Sequence, residues 1–144
     1  MIKVFIDTNV ILDHALDRLF ANEAERIFSM SEQGKIICYI SAGSVYTLAY
    51  ILEKALKNID LVREKLSLYF TLITPVSCLP YCFEQAINDK AFDDIEDAFQ
   101  YYTALQADCD FFVTANVKDF KKGEMSKLPV LKPDDYLLQK SDVF

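Results

Sequence analysis

Lys3-Val4-Phe5-Ile6-Asp7-Thr8-Asn9-Val10-Ile11-Leu12-Asp13 is the stretch whose reading decides the fold. β-Branched and aromatic residues run straight into a carboxylate, a hydroxyl and an amide, and an apolar run resumes at Val10. An unbroken apolar segment suits a strand buried on both faces of a parallel sheet, which sets Asp7-Thr8-Asn9 at the strand's carboxyl end. Open α/β sheets gather their ligands and chemistry at that end. Taken alone, Asp7 is equally well explained as the cap of a following helix. The chain's other acids decide between the two readings.

Working outward, a short helix or turn is expected after Asp13, through His14, Leu16 and Leu19. Asn22 is expected to cap a helix on which Ala24, Ile27 and Phe28 share a face, with Glu25 completing a capping box and Gly34 ending the helix. Residues 35–40 read as a second strand. Ser41 is placed to cap a long helix whose apolar positions Val45, Leu48, Leu52, Ala55 and Leu56 recur at spacings of three and four. After a break at 58–60, a helix over 61–70 turns Val62, Leu66 and Tyr69 inward, and 72–76 form a third strand that Pro75 assigns to an edge or an end.

Pro80 suits the first turn of a helix carrying Phe83, Ala86 and Ile87. The acidic run at Asp93 and Asp94 opens another, with Ile95, Ala98, Phe99, Tyr102 and Leu105 on its packing side. A fourth strand over 110–114, a turn or short helix over 116–122, a brief strand over 129–131 and a terminal helix from Pro133 complete the chain. Strands alternating with helices predict an α/β fold: a three-layer α/β/α sandwich around a mainly parallel sheet of four to five strands, in one domain spanning 1–144.

Composition narrows the functions. A 52% apolar and 26% charged chain is that of a folded globular protein rather than a disordered one. No apolar run is long enough to span a bilayer and the chain opens on a strand-like segment, so no membrane association and a cytoplasmic location are expected. Cys78 and Cys82 have no second Cys/His pair to accompany them, and His14 is the only histidine. That argues against a zinc site and for reduced, mainly core thiols. A net charge of −7 argues against a broad basic face for duplex DNA. If several acids gather in one metal-binding cluster, however, the remaining surface repels phosphate less than the sum implies.

Three acids fall where this fold would bring them to one edge: Asp7 at the end of the first strand, Asp97 in the first turn of the helix opening near Asp94, and Asp119 after the fourth strand. The pieces around them are Ile6 to Leu12 (Asp-Thr-Asn-Val-Ile-Leu after an apolar residue), Phe92 to Ala98 (Phe-x-x-x-Glu-Asp-Ala) and Val113 to Phe120 (Val-Thr-x-Asn-x-x-Asp-Phe). In this order, and over nearly the whole chain, they resemble the PIN domain, the fold of the VapC-type toxin ribonucleases. The resemblance implies that Asp7, Asp97 and Asp119 help bind Mg²⁺ or Mn²⁺, with Thr114 and Asn116 orienting them or the attacking water. It implies an RNA substrate, an antitoxin protein partner and a homodimer.

The physics supports gathering these groups when a cation belongs among them. Two carboxylates about 4 Å apart repel by roughly 4 kcal/mol at an effective dielectric of about 20. A hard dication relieves that repulsion, lowers the pKa of a bound water and stabilises charge on a scissile phosphate, so the reaction class is metal-dependent phosphodiester hydrolysis.

The chain departs from the family pattern at Thr47. PIN domains usually carry a further acid six positions beyond a serine like Ser41, and a hydroxyl is a poor substitute for an anionic ligand. Glu53 faces nearly the opposite way, since six more helical residues turn by about 600°. Glu96, inside the family's Glu-Asp piece, has the best claim as an additional ligand; its bland explanation is a first-turn acid favoured by the helix dipole. Asp93 and Asp94 read as cap or loop residues, and Asp13 as a solvated acid at a helix start. The alternative function is a catalytically weakened PIN-like module that binds RNA or protein.

His14 reads as a surface residue rather than a general base, because metal-activated water needs no histidine. Lys118, Lys121, Lys122 and Lys127 follow the proposed site and are candidates to guide a phosphate backbone, against the plainer reading of a solvated loop. A haloacid-dehalogenase-type phosphatase is disfavoured because Asn9 stands where its second acid belongs.

Overall fold

The computed structural model describes residues 1–120 and 127–141. In chain order the elements are β1 (Ile2–Ile6), α1 (Thr8–Ala15), α2 (Ala21–Glu32), β2 (Ile36–Ser41), α3 (Ala42–Leu56), α4 (Ile59–Leu72), β3 (Ile73–Val76), α5 (Pro80–Asn88), α6 (Ile95–Gln106), β4 (Phe111–Val113), a 3₁₀ turn (Val117–Phe120), β5 (Val130–Leu131) and α7 (Pro133–Ser141). The strands form one five-stranded sheet in the order β3-β2-β1-β4-β5, with every neighbouring pair parallel. The α/β sandwich expected from the alternation is therefore present, and β3, with Pro75 opposite Ile40, is an edge as its proline required.

Period-two alternation along β1 builds two cores. Val4 and Ile6 join Cys38, Leu48, Tyr69 and Tyr136 on one face of the sheet, while Phe5 joins Tyr101, Phe112, Phe120 and Val130 on the other. Burial on both faces is what a central parallel strand needs, and Val4, Phe5 and Ile6 are all fully buried. Helices α1 to α4 and α7 contribute to the first core and α6 to the second.

The chain leaves β1 for β2 on one side and returns to pair β4 on the other. Strand order thus reverses between β1 and β4, which opens a crevice beyond their carboxyl ends. Among the described residues no helix is long and apolar enough to cross a membrane.

Several local expectations are corrected. Helix α1 begins at Thr8, so Val10, Ile11 and Leu12 are buried helical residues and the helix does not wait until after Asp13. Helix α2 starts at Ala21 behind Phe20, without a side-chain cap, so Asn22 lies inside the helix. Ser41 occupies the N-cap position of α3 but its hydroxyl makes no capping bond. Ala55, Ile87 and Ile95 are exposed instead of packed, and Phe83 is exposed with one edge of its ring against Phe99. The break between α3 and α4 is narrow: Lys57 turns left-handed and Asn58 caps α4 by accepting from the Leu61 amide at 3.1 Å. Gly34 does follow α2 with a positive φ of 72°, a conformation that costs glycine nothing.

Candidate active site

The crevice between β1 and β4 is walled by short-range bonds that fix one carboxylate. Asp7 is the N-cap of α1, its amide donates to the Val113 carbonyl at 2.9 Å, and its side chain is 5% exposed. Thr114, one residue past β4, donates its hydroxyl to Asp7 Oδ2 at 2.8 Å. Asn9 Nδ2 reaches both Asp7 Oδ2 at 3.4 Å and Thr114 Oγ1 at 3.3 Å, and Asn9 Oδ1 accepts from the Ala115 amide at 3.1 Å. The Thr114 hydroxyl also accepts from the Asn116 amide at 3.1 Å, and the Asn116 carbonyl accepts from the Asp119 amide at 3.1 Å. One continuous set of bonds thus runs from the end of β1 to the 3₁₀ turn that carries Asp119.

Helix α6 delivers the second acid from the facing side. Asp94 caps it by accepting from the Asp97 amide at 3.0 Å, and Asp97 stands in its first turn. Burial is the main reason that the Asp97 carboxyl is pushed up to about 7, followed by the charges of Asp7, Asp94, Asp119 and Glu96. Asp7 is also raised, by burial first, against the opposing hydrogen bonds from Thr114, Gln100 and Asn9. Asp7 and Asp119 are therefore each close enough to Asp97 to act on it electrically, although they lie 90 and 22 positions from it along the chain.

These acids do not form a ready-made cage: among the described residues no three of His, Cys, Asp and Glu stand at metal-holding distances. A loose set of hard oxygens still fits Mg²⁺, which keeps several waters and takes one or two carboxylates directly. The like charges that raise Asp97 are the repulsion that a dication would relieve.

Beside the acids lies a cavity of about 480 Å³ whose wall includes Ser41, Ser44, Thr47, Glu96, Phe99 and Gln100. Thr47, where the family's further acid is usual, thus faces the same space as Glu96. Gln100 escaped the sequence reading. It is 3% exposed, its side chain opposes the upward shift of the Asp7 carboxyl, and its Oε1 has no partner among the described residues. The available signal was its position one helical turn beyond Asp97, on a face otherwise made of packing residues. Asn9 was noticed only as part of a motif; its task of tying β1 to the 114–116 loop needed coordinates.

Other sequence candidates fall elsewhere. His14 lies at the far end of α1 from Asp7 and is not the surface residue expected: its Nδ1 bonds the Tyr69 hydroxyl at 2.7 Å, its Nε2 pairs with Glu25, and its ring meets the edge of Phe28. Asp13 is buried within α1 and paired with Arg18 Nε at 3.1 Å, so it is not a solvated helix-start acid. Lys118 and Lys127 are exposed, whereas Lys121 and Lys122 lie outside the described residues. The four cysteines are free, and burial pushes the thiols of Cys38 and Cys109 up to about 12, which leaves them inert.

A family model described as "PIN domain" matches residues 3–118. No curated protein matches the chain. Among solved structures, VapBC2 from Rickettsia felis, bound to a DNA fragment from their promoter, is similar with a TM-score of 0.70 at 15% identity, over 91% of this chain and 98% of that one. VapC20 from Mycobacterium tuberculosis, a sarcin-ricin loop cleaving toxin, is similar with a TM-score of 0.57 at 13% identity, over 76% of this chain and 86% of that one. At these identities the likeness speaks for the fold.

Proposed function

The chain belongs to the PIN domain family, and we propose that it is a metal-dependent endoribonuclease of the VapC toxin type, acting as one domain over 1–144. The observation that carries this reading is the hydrogen-bonded Asp7 carboxylate at the crevice between β1 and β4, joined there by Asp97 in the first turn of α6, whose carboxyl is raised by burial and by the charges of Asp7 and Asp119. A protein gains nothing in stability from crowding acids in a crevice, so such an arrangement points to a cationic ligand.

In this reading Asp7, Asp97 and Asp119 hold Mg²⁺ or Mn²⁺, with Glu96 an additional ligand from the same turn of α6. When bound, the ion supplies Lewis-acid stabilisation of the charge that develops on a scissile phosphate. The chain's own residues supply the rest. Thr114 and Asn9 fix the Asp7 carboxylate in one orientation, so little reorganisation is needed at the moment of reaction. Asn116, exposed beside Thr114, is placed to orient the attacking water or the substrate. Lys118, on the 3₁₀ turn, offers a cation to the incoming phosphate backbone.

The VapC-type reading brings two partners with it, an antitoxin protein that covers the crevice and a second copy of this chain. The test is cleavage of RNA by pure protein in Mg²⁺ or Mn²⁺. Asp7→Asn and Asp97→Asn are each expected to reduce cleavage on the order of 10²-fold or more, the scale of losing one preorganised electrostatic group. Unchanged rates in both variants would end the nuclease reading.

Thr47 supports a second reading, a binding module with weakened catalysis, because a neutral hydroxyl stands on the wall that Glu96 also lines. Thr47→Glu separates the two: a large gain of cleavage over a silent natural protein favours the module, whereas an active natural protein favours the enzyme.

A further inference from the structure

A second opening lies on the β5 side of the acids. It is a pocket of about 360 Å³ at the carboxyl ends of β4 and β5, walled by Ala115, Val117, Lys118, Leu131, Lys132 and Asp135. Lys118 stands on the 3₁₀ turn and Lys132 in the link between β5 and α7, and both are exposed. Among the described residues no ion pair involves either lysine. Asp135 is the one acid on this wall, and it sits in the first turn of α7, where the positive end of the helix dipole offsets part of its charge. Two cations against one acid leave the pocket positive in a chain whose net charge is −7, so the pocket favours an anion over a neutral or cationic ligand.

The pocket adjoins the acidic crevice. Ala115 lines it, and the Ala115 amide donates to Asn9 Oδ1 at 3.1 Å, while the preceding residue, Thr114, donates to Asp7 Oδ2 at 2.8 Å. On the other side Lys118 directly precedes Asp119 on the 3₁₀ turn. A polyanion with one phosphate at the acids thus has its next phosphates beside the two lysines. We propose that Lys118 and Lys132 form a phosphate subsite on the β5 side of the cleavage position, holding the RNA backbone one or two linkages from the bond that is cut. Exposed lysines hold a free anion weakly, but a phosphate tethered to a second contact arrives at high effective concentration, which favours a polymer. The inference rests on the nuclease reading and deepens it: it brings in Lys132 and gives the strand a path from the crevice toward α7. Contacts of this kind set register and orientation and carry no base preference.

The test is fluorescence anisotropy of the full chain with a short, labelled single-stranded RNA in Ca²⁺, over a range of salt concentrations. Losing one phosphate contact to a single strand lowers the slope of log affinity against log salt by about 0.7. Lys132→Ala is expected to lower the slope by about that amount and to weaken binding roughly three- to tenfold, whatever the RNA sequence. Lys132 is exposed and its carbonyl, not its side chain, accepts from the Tyr136 amide at 2.9 Å, so the substitution leaves the start of α7 intact. Lys35→Ala, just before β2 at the amino-terminal edge of the sheet, is the control and is expected to change neither quantity. Replacing phosphates one at a time by neutral methylphosphonates locates the subsite: one linkage should matter to the natural protein and be silent in a variant carrying both Lys118→Ala and Lys132→Ala. A natural slope in Lys132→Ala, an equal loss in Lys35→Ala, or no linkage that tells the natural protein from the double variant overturns the proposal. Inorganic phosphate that raises the melting temperature of the natural protein but not of the double variant, with RNA affinity equal in the two, assigns the pocket to a free anion and overturns it too. Cleavage in Mg²⁺ is scored separately. RNA cut with the same KM by both proteins removes the subsite alone, a Lys132-dependent slope without cleavage removes the nuclease reading alone, and RNA that does not bind at all removes both.

Discussion

The two ends of α1 put similar side chains to opposite use. At its C-terminal end His14 has both ring nitrogens partnered, one by the Tyr69 hydroxyl and one by Glu25, and the aromatic rings of Phe28 and Tyr69 enclose it. One residue earlier, the buried acid Asp13 is paired with Arg18. At the N-terminal end Asp7 is buried just as deeply, but across the crevice it meets Asp97 in a neighbourhood of carboxylates. The first cluster is complete without help and holds α1, α2 and α4 together. The second is held in place by hydrogen bonds and left electrostatically frustrated, which accords with the cation site proposed for it.

The largest expected consequence of that contrast is metal-dependent stability. At a free Mn²⁺ concentration about 100-fold above Kd, thermal unfolding of the natural protein should shift upward by about 2.7 kcal/mol, roughly 5 to 10 °C for a chain of this size. In Asp97→Asn the shift should be much smaller. A variant with substitutions only at the other end of α1 should keep it in full. An equal shift in all of them would place the metal elsewhere.

Proton linkage comes next. In EDTA the folded chain holds Asp97 protonated up to about 7, whereas an unfolded chain releases that proton near 3.8. Between these values the folded state binds more protons, so the Asp97 contribution to stability falls as pH rises through that window and levels off above it. Asp97→Asn should remove this decline and, at pH 8 without metal, melt a few degrees above the natural protein. A natural protein whose stability rises across the same window would contradict the crowding of acids around Asp97.

The satisfied end gives smaller effects, confined to stability. Tyr69→Phe removes the hydroxyl that partners His14 Nδ1 and should cost about 1 to 2 kcal/mol in urea unfolding, with RNA cleavage unaltered. Arg18→Ala leaves Asp13 buried without its guanidinium. Because Arg18 is about half exposed and its charge is screened by water, the expected loss is smaller, about 0.5 to 1 kcal/mol. A fall in cleavage with either variant would show that the two ends of α1 are coupled and that the contrast is too sharp.

The sequence by itself determined the layered architecture. An apolar run into Asp7, the alternation of strand and helix signals and the proline in β3 are local properties, and local propensity and periodicity are readable along a chain. The order of the three acidic motifs was legible for the same reason. Helix boundaries were less so: Asn22 looked like a cap, yet α2 begins one residue earlier behind Phe20, with Arg18 and Ala21 bonded through their backbones in the preceding turn. Only the tertiary structure decided that Thr114 bonds Asp7, that Asn9 spans β1 and the loop after β4, that Thr47 and Glu96 share a cavity wall, and that His14 is locked against Tyr69. Each of these joins residues on different elements, and whether a polar side chain meets a partner, a like charge or an empty space depends on how the elements pack, which sequence spacing does not specify.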